Sequence, residues 1–111
     1  MTPITRTEEM LLLVVCKLQA EAFGINIRKQ MQEITGKRYS VGGIYVPLDR
    51  LVGKGWLTTE EGRPTPERRG RPRRLYKITP DGLAMLRKAR AMQEVMWASL
   101  PELALRQLGW T

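Results

Sequence analysis

At 111 residues, with 19 lysines and arginines against 11 acids and no histidine, the chain carries a formal charge of +8. That length fits one domain with a modest core, near the size at which a second subunit commonly contributes. Without histidine, and with Cys16 as its one cysteine, the chain lacks the inventory for His/Cys metal sites, for Ser-His or Cys-His nucleophiles and for an intrachain disulfide framework.

No paired carboxylates fall in a recognisable pocket pattern, so we expect no enzyme, no catalytic residue, no metal and no cofactor. Thr5-Arg6-Thr7-Glu8 has capping-box spacing and predicts a first helix from about residue 6 to Ala20. Met10 to Cys16 is apolar on every face, which reads either as a central core helix or as a helix covered on one side by a second subunit. The same run is too short for an export signal and is flanked by Glu8, Glu9 and Lys17, so a cytoplasmic protein without a membrane span is expected.

Phe23-Gly24 breaks the chain before a second helix, about Ile25 to Thr35, with Ile27, Met31 and Ile34 expected on one buried face and Gly36 as its left-handed terminator. Ser40 caps a third helix whose buried stripe is Ile44, Leu48 and Leu51, ending at Gly53-Lys54-Gly55. Gly42 and Gly43 cost that helix about 1 kcal/mol each relative to alanine. They are read as a place where backbone amides come close to a phosphate or base edge, against the plainer reading of a loose helix start. Tyr45, beside the stripe, has two readings, core packing and phosphate contact. Pro47 shapes the helix.

Trp56 to Glu60 and Arg74 to Thr79 read as two short strands. Between and beside them stand Arg63, Arg68, Arg69, Arg71, Arg73 and Arg74 among prolines and glycine, with only Glu67 opposing them. Solvated faces usually mix lysine with acids; a nearly pure arginine loop fits a polyanion with closely spaced phosphates. Thr79-Pro80 starts a fourth helix to about Ser99, roughly 30 Å long and expected to leave the domain in its far half. Ser99-Leu100-Pro101-Glu102 repeats the capping-box spacing ahead of a short last helix ending near Gly109.

With those elements in order, particular residues match a known pattern: Phe23-Gly24-Ile25-Asn26-Ile27, the run from Ser40 to Leu51, Gly55-Trp56-Leu57, and the run from Arg69 to Gly82. On these the chain resembles the PadR family of winged-helix transcriptional regulators over roughly residues 8 to 90. The resemblance implies dimerisation through the first and last helices, palindromic operators, a repressor role, and in several small members a planar aromatic effector at the dimer interface. Gly43 stands where that family more often carries a polar residue such as threonine.

The expectation is therefore a mainly α chain with a small two-stranded β-wing, a winged helix-turn-helix over residues 1–79 and C-terminal dimerisation helices over 80–111. Ser40, Gly42, Gly43, Tyr45, Arg68, Arg69, Arg71 and Arg73 are the expected contacts to double-stranded DNA. Met96 and Trp97 read either as interface core or as the site of a small aromatic effector. The alternatives to a sequence-specific repressor are a winged helix used for protein interaction, against which the arginines argue, and an RNA-binding module.

Overall fold

Thr5 begins the first helix as its spacing predicts: the hydroxyl accepts from the Glu8 amide at 3.1 Å while the Glu8 carboxylate accepts from the Thr5 amide at 2.9 Å. In the computed structural model, which describes residues 3–62 and 73–110, the elements run α1 (Arg6–Leu18), a single 3-10 turn (Gln19–Glu21), α2 (Gly24–Thr35), α3 (Val41–Gly53), β1 (Leu57–Glu61), β2 (Arg74–Ile78), α4 (Pro80–Ala98) and α5 (Glu102–Gln107). The architecture is the mainly helical winged helix-turn-helix expected, with a C-terminal helix. β1 and β2 form an antiparallel pair in the register Leu57 to Ile78, Thr59 to Tyr76 and Glu61 to Arg74. No helix among the described residues is long and apolar enough to cross a membrane.

α1 lies at the centre. Leu11, Leu12, Val14 and Val15 are buried on it and share one core with Ala22, Ile27 and Met31, with Ile44, Leu48 and Leu51, and with Leu57, Leu75 and Tyr76. Each fully buried aliphatic side chain here stabilises by about 1.5–3 kcal/mol relative to exposure. Leu13, on the remaining face of α1, is exposed, so the apolar run is covered by its own domain on all sides but one. A sheet contact absent from the sequence pattern completes the wing: Phe23 bridges Leu75, and the Tyr76 amide donates to the Ala22 carbonyl at 2.9 Å.

Two expectations are corrected. Helical spacing puts Ile34 on the buried face of α2, but it is 58% exposed, because the helix leaves the core after Met31. Ser99 does not cap α5. It closes α4, its amide donating to the Val95 carbonyl and its hydroxyl to the Met96 carbonyl, and Pro101 precedes α5 without a side-chain cap.

α4 is fastened at its start and middle. Thr79 Oγ1 accepts from the Gly82 amide at 3.0 Å and donates to the Gly55 carbonyl at 2.6 Å, while its amide donates to the Trp56 carbonyl at 3.1 Å. A Cβ at Gly82 would stand 2.3 Å from the Trp56 carbonyl oxygen, so this turn of α4 requires glycine. One helical turn beyond Ala89, Gln93 Nε2 donates to both oxygens of the buried Glu9 carboxylate at 3.1 Å. From 91 to 99 every residue is exposed, and the far half of α4 projects from the core.

The Lys54 ammonium, at the end of α3, pairs with the buried Glu8 carboxylate. Burial works to raise the Glu8 pKa, but Lys54 and the backbone and hydroxyl of Thr5 outweigh it, leaving the group below its ordinary value. A depressed folded-state pKa contributes stability that is present above the unfolded pKa and lost as pH falls through the folded one. Glu8→Gln keeps a side chain able to close the capping box and removes only the charge, so it should lower unfolding stability at neutral pH by about 1 kcal/mol. In chemical denaturation at a series of pH values, its difference from wild type should shrink toward zero as pH drops through the carboxylate range.

Candidate nucleic-acid interface

α3 is held by one stripe. Ile44, Leu48 and Leu51 are buried at i, i+4 and i+7, so the opposite side of the helix must face solvent. Its start is ordered by Ser40, whose hydroxyl accepts from the Gly43 amide at 2.9 Å. That leaves the amides of Val41 and Gly42 without a helical partner, as at any helix N-terminus. Gly42 and Gly43 are exposed, and a Cβ at Gly42 would meet nothing within 4 Å, while at Gly43 it would meet only Ser40 Oγ at 3.0 Å. Nothing among the described residues therefore demands glycine at position 42.

The turn before α3 is equally fixed. Gly36 ends α2 at φ 72° in the left-handed region, Gln32 Oε1 accepts from the Tyr39 amide at 3.1 Å, and Arg28 Nε donates to the Tyr39 carbonyl at 2.7 Å. Lys37 and Arg38 stand exposed in this turn. Sequence reasoning misses both of them and Arg28; a basic pair inside a helix-turn-helix connection is the signal that could have found them.

Tyr45 is half-buried. A Cβ at Gly24 would fall 2.2 Å from its hydroxyl oxygen, so the ring lies directly over the start of α2, and this close approach is what Gly24 permits. Of the wing arginines, Arg63, Arg68, Arg69 and Arg71 lie outside the described residues, and Arg73 and Arg74 lie within them. The Arg73 guanidinium sits 4.2 Å from the centroid of the Phe23 ring, and its buried Nε has no hydrogen-bond partner among the described residues. Its carbonyl accepts from the Gly62 amide at 2.5 Å, which closes the base of the wing. Arg74 pairs with Asp49 of α3 at 3.4 Å, and its guanidinium lies beside the fully buried Tyr76, where burial raises the pKa of the phenol. Phe23, Gly24, Val41, Tyr45, Arg73 and Arg74 line a hollow of about 480 Å³ between α2, α3 and the wing base.

Met96 and Trp97 are elsewhere, exposed on the far half of α4. They line a shallow hollow of about 530 Å³ with Arg6, Gln93 and Leu100, and Trp97 stacks on Trp110 with ring centroids 4.8 Å apart. The structure thus groups Ser40, Gly42, Gly43, Tyr45 and Arg73 around the start of α3 and sets Met96 and Trp97 apart on α4.

Comparison with known proteins fits this arrangement. A family model described as the transcriptional regulator PadR-like family matches residues 11–88. A PadR-like transcription factor from Bacteroides fragilis superposes with a TM-score of 0.67 at 26% identity, over 84% of each chain. A PadR family transcriptional regulator from Eggerthella lenta gives 0.66 at 25% identity, over 89% of this chain and 84% of that one. A PadR family transcription regulator from Clostridium difficile shares the fold, with a TM-score of 0.61 at 20% identity over 89% of this chain and 96% of that one. No curated protein matches the sequence.

The start of α3 depends on its cap. Ser40→Ala should destabilise the protein by about 1 kcal/mol in denaturant melts. Ser40→Asp, which restores an acceptor, should recover most of that loss.

Proposed function

We propose, from the premise that this chain belongs to the PadR-like family of transcriptional regulators, that it is a cytoplasmic homodimeric repressor that binds a palindromic double-stranded DNA operator. Residues 1–79 are the DNA-binding part and 80–111 the dimerisation part. The observation that carries the reading is the exposed glycine pair at the Ser40-capped start of α3, where no neighbour among the described residues requires the missing side chain at Gly42. A side-chain-free helix start with unpartnered amides is suited to close approach by DNA.

In this reading α3 enters the major groove, and the wing, with Arg68, Arg69, Arg71 and Arg73, follows the adjacent backbone. The net charge of +8 supports a polyanionic partner. Self-association is supported by the apolar side chains that α4 leaves uncovered, Met92 at 64% and Val95 at 69% exposure among them, together with Leu13 of α1. A planar aromatic effector at Met96 and Trp97 is the finer part of the proposal, supported by the hollow they line.

Selection of bound duplexes from a random pool should return two inverted half-sites about one helical turn or a multiple apart. Duplex RNA should compete poorly; equal competition would replace the DNA reading with the RNA one. Arg69→Ala with Arg71→Ala should weaken binding to operator and scrambled duplex alike and flatten the salt dependence by about 0.9 log units for each phosphate no longer neutralised. Met92→Glu should yield a monomer or an unfolded chain in sedimentation at micromolar concentration, where wild type runs as a dimer. Wild type sedimenting as a monomer there would remove the homodimer from the proposal.

A further inference from the structure

The outward line of α3 contains more than its two glycines. Gly42, Val46 and Asp49 follow one another at i, i+4 and i+7, on the side opposite the buried stripe, and all are exposed. Because Gly42 has no side chain, Val46 is the first group along this line that can reach a body approaching the start of the helix. It is apolar, branched at Cβ and, among the described residues, left half exposed at 50%.

Asp49, one turn further, decides what the line faces. A carboxylate repels phosphate, so a line that ends on one fits over base edges better than along the backbone. Arg74 at 3.4 Å partly neutralises it. The exposed cations near the line, Lys37 and Arg38 in the preceding turn and Arg50 on its flank, are placed to meet phosphates on either side. In the major groove the apolar group that a base edge offers is the 5-methyl of thymine.

We propose that Val46 is a specificity-determining residue that packs against the 5-methyl group of a thymine in each operator half-site. The inference rests on the DNA-binding reading above. Val46 adds no affinity for DNA in general and discriminates only where that methyl stands.

The test uses the intact dimer and the duplex returned by selection. Each thymine is replaced in turn, symmetrically in both half-sites, by deoxyuridine, which keeps the base pair and removes only the methyl group. At one position the replacement should weaken wild-type binding about fourfold per half-site and about fifteenfold for the pair. Val46→Ala should bind the thymine operator correspondingly less well, melt like wild type because the side chain is exposed, and respond to the methyl by less than about twofold. Two results overturn the inference: no thymine whose methyl matters, or a methyl effect undiminished in Val46→Ala. If wild type selects an operator and either result follows, the regulator reading stands and only Val46 loses its role. If wild type prefers no duplex at all, the regulator reading fails and this inference fails with it.

Discussion

Ile44, Leu48 and Leu51 hold α3 by one buried stripe, and because a helix turns as a rigid body, sinking that stripe into the core sets the direction of every other side chain on it. Once the stripe is down, Gly42, Val46 and Asp49 face out, and Tyr45 is turned onto Gly24 of α2. The surface offered to a partner follows from the core and needs no separate ordering step. α1 supplies the other half of the constraint, since its leucines and valines form the floor on which α2, α3 and β2 rest.

Charge is sorted by the same packing. Glu8 and Glu9 are buried on α1, where one receives Lys54 from the end of α3 and the other receives Arg6 and Gln93, so two acids serve as joints between helices. Glu60 is tied to Lys77 across the wing strands and Asp49 to Arg74. Lys37, Arg38 and Arg50 remain exposed around α3. A basic chain thereby keeps its cations outward near the start of α3 while several of its acids are engaged in the fold, an arrangement that favours steered encounter with a polyanion.

The parts that local chemistry decides were legible in the sequence. The Thr5 and Ser40 caps, the Thr79-Pro80 helix start and the left-handed Gly36 all depend on residues within a few positions of each other, and the two strands, whose partners lie further apart, are legible from their own composition on either side of the arginine run. What escapes reading depends mostly on distant partners, Ser99 being the local exception. Ile34 has helical spacing with Ile27 and Met31, but the core ends before it. Phe23 joins the wing through a single bridge too short to leave an alternating pattern. Ser99 has capping-box spacing, yet its hydroxyl bonds backwards to Met96 because α4 ends on it. Tyr45 lies beside the buried stripe of α3, and its seat over Gly24 depends on α2, an element that its own spacing does not reveal.

The central claim is that the start of α3 is the surface that meets DNA. Amide chemical-shift mapping on the isotopically labelled protein, titrated with a selected operator duplex, tests it most directly. The largest shifts should fall on Val41, Gly42, Gly43 and Val46, with smaller ones at Lys37 and Arg38 and little change on α5. Shifts gathered on the outer half of α4 and on α5, with Gly42 and Gly43 unmoved, would contradict it.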